Sequence, residues 1–287
     1  MDREVNYAQP SNRRTVKFQR LGGTSKLQEK VLIIGLGELG KPMYELAKGI
    51  YSEVDWLDID NRRVSIHPSV VHICYPEANP KKFIKTSISY LEKFKPRLAL
   101  IESTVSPGTT NAIHEAIGKQ TLLCHSPVRG NVTEGMKRGI LQYTKYIGPT
   151  SSDAGRQASK YYESLGLKTS VLRSPAETEL GKIFETTYRG LMIAWFQEIN
   201  RMCDHFDARF DQVVDFVGST GKEGKQARPI FHPGVIGGHC IIPNAEKLDS
   251  VYHSTFVEAL LESNKKRVEE LSGKTGGPRK PTTSSGR

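Results

Sequence analysis

The stretch Val31-Leu32-Ile33-Ile34-Gly35-Leu36-Gly37-Glu38-Leu39-Gly40-Lys41 decides how this chain folds. Four branched apolar residues in a row read as a strand buried on both faces, and Met43 to Ile50 reads as a helix. The glycines between them keep the G-x-G-x-x-G spacing of a dinucleotide-binding turn. In that turn Gly35 allows the tight bend, Gly37 lets the backbone approach a pyrophosphate, and Gly40 permits close helix–strand packing. The helix N-terminus then directs free N–H groups at the phosphates. Val54 to Leu57 reads as a second strand ending at Asp58, 23 residues beyond Gly35, where a carboxylate meets the adenine ribose 2′-hydroxyl. Its charge repels a 2′-phosphate, so NAD is the expected cofactor. The same stretch matches a P-loop up to Lys41, but Pro42 stands where that motif needs Ser or Thr to hold magnesium.

Outward from this turn, strands and helices alternate. Further strands are expected over Ser69–Tyr75, Arg97–Thr104, Thr121–His125, Tyr143–Ile147 and Lys168–Leu172, with helices over Lys81–Phe94, Thr110–Gly118 and Asp153–Leu165. The alternation implies a doubly wound parallel sheet of Rossmann type, with ligands beyond the carboxyl ends of its strands. Those ends carry Gly35 to Gly40, Asp58, Tyr75, Thr104 and Ser126-Pro127. Gly35, Gly37, Glu38, Leu39, Gly40, Asp58, Arg63, Tyr75 and Thr104 are therefore the candidate cofactor contacts.

At Ser174 the pattern changes. Ser174-Pro175-Ala176-Glu177 is a capping box with proline in the first turn, and the helix it starts is expected to run about 30 residues, to Asp204. Its apolar residues spread over much of its circumference, as in a helix buried on two sides. A helix over Phe210–Val217, mostly loop over 218–250, and a final amphipathic helix over Tyr252–Leu271 complete the reading. The expected organisation is a basic disordered tail (1–28), an NAD-binding sheet domain (29–173), a helical dimerisation domain built on the long helix (174–271) and a second disordered tail (272–287).

The net charge of +10 is concentrated in those tails and in Lys265-Lys266-Arg267, so a solvated surface accounts for it better than a nucleic-acid site. Four scattered cysteines and the lack of a signal-like or membrane-length apolar run point to a cytoplasmic protein. The loop His232-Pro-Gly-Val-Ile-Gly-Gly-His-Cys240 sets small residues beside a thiol. Cys240 is a candidate nucleophile toward an aldehyde, with His239 beside it; the rival reading is an inert cysteine. A zinc site from His232, His239 and Cys240 matches no standard spacing, and no metal is expected. Lys182 lies two turns into the long helix, where it either snorkels or acts as an acid or base on a hydroxyl.

Five segments in order resemble the UDP-glucose/GDP-mannose dehydrogenases: Gly35–Gly40, Leu57–Asp60, Glu102–Thr110, Ala176-Glu177 with Lys182, and Gly234–Cys240. The resemblance implies NAD-dependent oxidation of a sugar CH–OH, with Cys240 as nucleophile, Lys182 as catalytic lysine and Thr104 placing water or substrate. It also makes the long helix the core of a homodimer, and a nucleotide sugar or hydroxy acid the substrate. Three positions depart from the family pattern: Val128 replaces a glutamate, Thr186 an asparagine and Asn244 an aspartate. Thr186 and Asn244 remain candidate catalytic positions. The chain ends soon after Leu271, so the family's C-terminal nucleotide-binding domain is expected to be missing. The alternative expectation is a non-catalytic NAD-binding or partner-dependent subunit.

Overall fold

The computed structural model describes residues 27–59, 63–130, 135–224, 228–238 and 240–273. Almost all of both expected tails, together with Asp60, Arg62 and His239, lie outside the described residues.

The first strand, β1 (Leu27–Ile34), is followed by α1 (Gly40–Ile50) and β2 (Tyr51–Leu57). Then come β3 (Val70–Ile73), α2 (Pro80–Phe94), β4 (Leu98–Ile101), α3 (Thr109–Ile117) and β5 (Leu122–His125). The sheet closes with α4 (Met136–Gln142), β6 (Lys145–Pro149), α5 (Ser152–Ser164) and β7 (Thr169–Val171). Strand order is β2-β1-β3-β4-β5-β6-β7. Because β2 and β3 flank β1 on opposite sides, the chain reverses direction across the sheet there, and a crevice opens beyond their carboxyl ends.

Alternation within β1 explains its apolar run. Val31 and Ile33 face a layer that includes Met43, Ala47, Ala154, Ala158 and Tyr162 of α1 and α5. Leu32 and Ile34 face Phe83, Leu91 and Ile113 of α2 and α3. Every one of the four is buried, as a strand covered on both faces requires.

The parallel expectation holds from β2 to β5 and fails at β6, which pairs antiparallel to β5; β7 then runs parallel to β6. Among the described residues between β5 and β6, the seven-residue α4, which the sequence reading did not include, is the only helix. The reversal sets Lys145 beside Glu102. Lys145 Nζ donates to Glu102 Oε2 and to the Ser126 carbonyl (2.6 Å). Glu102 Oε1 also accepts from His72 Nδ1 and from the Tyr162 hydroxyl, each at 2.8 Å. Burial opposes charge on Glu102, but Lys145 and His72 outweigh it and hold the carboxyl at about 2.

Beyond the sheet, α6 (Pro175–His205) starts at the expected capping box: Glu177 accepts from the Ser174 N–H at 2.8 Å. It is followed by α7 (Phe210–Glu223), α8 (Ile241–Val251) and α9 (Thr255–Leu271). The expected loop over 218–250 is thus corrected at both ends: α7 continues to Glu223, and α8 begins at Ile241. Pro243 obscured the second helix, although proline is tolerated in a first turn where its N–H would be unpaired. Ala245 and Leu248 pack with Ile183, Val257 and Leu260 into a core shared by α6, α8 and α9.

Removing one partner of the buried ion pair is expected to cost more than removing both. Lys145→Met leaves an uncompensated buried carboxylate and should lose about 3–5 kcal/mol by chemical denaturation, with the Glu102→Gln/Lys145→Met double variant losing less. A depressed carboxyl stabilises the fold fully above its unfolded-chain value of about 4.3. That contribution drains as pH falls toward about 2, so Glu102→Gln should flatten the acid limb of the stability profile.

Candidate active site

The carboxyl ends of the first five strands assemble one edge, which begins at the glycine turn. Gly35 has φ +94°, and a Cβ there would meet the Tyr75 amide nitrogen at 2.8 Å. A Cβ on Gly40 would lie 1.7 Å from the Gly35 carbonyl oxygen, whereas one on Gly37 meets nothing within 4 Å. The three glycines thus separate as expected: two allow backbone to touch backbone, and the middle one leaves open space where a ligand would approach. Leu39 caps α1 and accepts from Met43 N–H, and Glu38 is exposed beside it.

Asp58 follows β2. Its Oδ2 accepts from the Leu36 N–H (3.0 Å) and its Oδ1 from the Ile59 N–H (2.8 Å). Each carboxylate oxygen keeps a second lone pair for a ribose hydroxyl. Arg63 is exposed beyond it. Tyr75 lines the other wall with its backbone, while its hydroxyl pairs with Ser87 of α2 at 2.6 Å and its ring lies tilted against Phe83. Burial pushes the Tyr75 phenol up from its ordinary value. Thr104 is half-buried on the loop after β4. Beside it, the Ser103 hydroxyl donates to the Tyr75 carbonyl (2.6 Å), and its carbonyl accepts from His125 Nε2 (3.0 Å). Burial pushes His125 down to about 3, so this imidazole is neutral at physiological pH.

The first turns of α6 lie across these exits. Thr178 Oγ1 pairs with His125 Nδ1 at 2.8 Å. Glu179 accepts from the N–H groups of Gly108 (2.7 Å) and Thr110 (2.9 Å), capping α3 from outside; burial nevertheless raises its pKa. Lys182 comes next on that face, with only 17% of its side chain exposed. Burial lowers its pKa, and the Glu185 and Cys240 groups act in the opposite direction.

Cys240 is exposed and stands as N-cap of α8, at the positive end of the helix. One turn on, Asn244 is buried and its Nδ2 donates to Thr186 Oγ1 at 3.0 Å; Thr186 in turn donates to the Ile183 carbonyl at 2.8 Å. The two departures from the family pattern therefore touch, forming a neutral, satisfied pair between α6 and α8. Val128 is buried in the sheet core and brings no carboxylate to the edge. Farther along, α8 is tied to the sheet by Lys247 Nζ, which donates to Glu77 Oε1 at 2.7 Å. Glu77 also accepts from Ser106 N–H (2.8 Å) and Thr109 Oγ1 (3.1 Å). Sequence reading missed Glu77, Glu179, Glu185 and Lys247. Glu179 and Glu185 were accessible from their i−3 and i+3 spacing to Lys182, whereas a lone acid in the loop after β3 carried no signal. Among the described residues no group of three metal-ligating side chains converges.

The site lies at the switch point of an α/β sheet, overlaid by a helix carrying a mostly buried lysine. Residues 176–266 match the model of the UDP-glucose/GDP-mannose dehydrogenase family, central domain. The UDP-N-acetyl-D-mannosamine dehydrogenase of Methanococcus maripaludis is 24% identical over 259 residues, covering 74% of this chain and 59% of that protein. The structure of UDP-D-ManNAc dehydrogenase from Pyrococcus horikoshii superposes with TM-score 0.68 at 19% identity, over 85% of this chain and 70% of the other. The 3-hydroxyisobutyrate dehydrogenase of Mycobacterium tuberculosis superposes with TM-score 0.61 at 14% identity, over 86% and 94%. The chain thus spans less than two thirds of the length of the curated relatives it matches.

The glycine geometry separates fold from ligand binding. Gly37→Ala is expected to keep the melting temperature and lose NAD affinity, read by calorimetric titration. Gly40→Ala, whose Cβ must displace the Gly35 carbonyl, should lower both.

Proposed function

We propose that the protein is an NAD-dependent dehydrogenase that oxidises a CH–OH group of a nucleotide sugar at the edge where the sheet, α6 and α8 meet. The observation that carries this reading is the placement of Lys182: mostly buried on α6, one turn beyond Thr178 and Glu179, which bond the end of β5 and the loop after β4, and within electrostatic reach of the Cys240 thiol. The turn at Gly35–Gly40 and the Asp58 carboxylate suit NAD, since Gly37 is open and Asp58 repels a 2′-phosphate. NAD bound there supplies the hydride acceptor.

The chain's own residues do the rest. Desolvation favours a neutral Lys182 amine, able to take the proton of a substrate hydroxyl. Cys240, at the start of α8, presents an exposed thiol to a carbonyl carbon. Thr104 offers a hydroxyl for placing substrate or water. Asn244 and Thr186 hold α8 against α6 without adding charge. That neutrality, with Val128 in the core, favours a second reading as a non-catalytic or partner-dependent NAD-binding subunit. A homodimer through α6 accompanies the proposal: Phe184, Tyr188, Trp195, Met202 and Phe206 form an exposed apolar stripe along it. Cytoplasmic residence fits four free cysteines, and no helix among the described residues is long and apolar enough to cross a membrane.

The test is NADH formation by the full chain with UDP-N-acetyl-D-mannosamine, UDP-glucose and a set of hydroxy acids, beside Cys240→Ala and Lys182→Ala. Turnover of a nucleotide sugar that falls at least about a hundredfold in Lys182→Ala is expected, as for loss of a general base. Loss of turnover in Cys240→Ala as well assigns a four-electron oxidation, whereas retention assigns a two-electron one. NAD binding without turnover on any substrate would favour the second reading.

A further inference from the structure

Glu185 lies three residues beyond Lys182 on α6, with its Oε2 3.8 Å from the Lys182 Nζ. Its other oxygen, Oε1, accepts from Arg129 twice, from Nε at 3.2 Å and Nη2 at 2.9 Å. Arg129 is itself held: its guanidinium lies over the rings of Tyr143 (5.1 Å) and Tyr146 (5.8 Å). A guanidinium stacked on two aromatic faces loses rotational freedom, so a two-pronged grip on one oxygen fixes the other. The loop after β5, where Val128 has withdrawn into the core, thereby orients a carboxylate that comes from α6.

We propose that Glu185, gripped by Arg129, is a positioning residue that fixes the place and protonation of Lys182. The proposal rests on the reading of Lys182 as functional. Glu185 is about two-fifths exposed, so its influence is partly screened by solvent. The charged and titratable groups bearing on Lys182 are Glu185 on its own helix, Cys240 at the start of α8, Arg129 after β5, Lys145 of β6 and His125 of β5. Glu185 and the Cys240 group favour the ammonium; burial, Arg129 and Lys145 oppose it. Taking away the Glu185 charge therefore moves the midpoint of Lys182 deprotonation to lower pH.

That midpoint can be read without turnover. Trace acetic anhydride labels lysines only as free amines, and peptide mass spectrometry of the full chain gives the pH dependence at Lys182. Glu185→Gln is expected to lower the midpoint by about half a pH unit at low salt, the scale of a partly exposed ion pair. Glu198→Gln, farther along α6 beside Arg201, should leave it unchanged. In an Arg129→Met background the effect of Glu185→Gln should shrink to less than half, because the grip that aims the carboxylate is gone. An unchanged midpoint in Glu185→Gln overturns the proposal, and an equal shift with and without Arg129 overturns the grip. Retained turnover in Lys182→Ala instead sinks the reading of Lys182, whatever the labelling shows.

Discussion

One face of α6 is the constraint on which the site depends. Thr178, Glu179, Lys182 and Glu185 sit at positions that share a helical face, and each reaches a different strand exit or neighbouring helix. Thr178 meets His125 at the end of β5, Glu179 caps the start of α3 after β4, and Glu185 meets Arg129. Lys182 is carried between them. A helix held at several points along its first three turns has little freedom to rotate, so the lysine is aimed at the sheet edge by its neighbours rather than by its own contacts.

The same helix joins the sheet to α8. Thr186 bonds Asn244, and farther along α8 Lys247 bonds Glu77 on the loop after β3. Glu77 and Glu179 grip Ser106–Thr110 from opposite sides, Glu77 at Ser106 and Thr109 and Glu179 at Gly108 and Thr110. A loop clamped by two buried carboxylates is a stiff wall beside the first turns of α6. Beneath it, the Glu102–Lys145 pair anchors β6 to β4 and fixes the one antiparallel step of the sheet.

How much of this was legible before the structure can be judged residue by residue. The glycine turn, the alternation through β5 and the capped start of α6 were readable because each rests on local chemistry: φ, burial period and capping. The reversal at β6 was not, since no local pattern marks it and the Lys145–Glu102 bond that accompanies it joins residues 43 apart in the chain. The α8 helix was hidden by Pro243 and the glycines before it. The contact between Thr186 and Asn244 was also invisible: both positions were recognisable as departures, but only the packing of α6 on α8 shows that they meet.

As proposed above, the crevice beyond the carboxyl ends of β1 and β3 would take NAD and disfavour a 2′-phosphate. Calorimetric titration of the full chain with NAD and, separately, NADP tests it most directly. One equivalent of NAD should bind, with NADP weaker by about tenfold or more, a difference of about 1.4 kcal/mol or more. Equal affinity for the two, or no binding of either, would contradict the account.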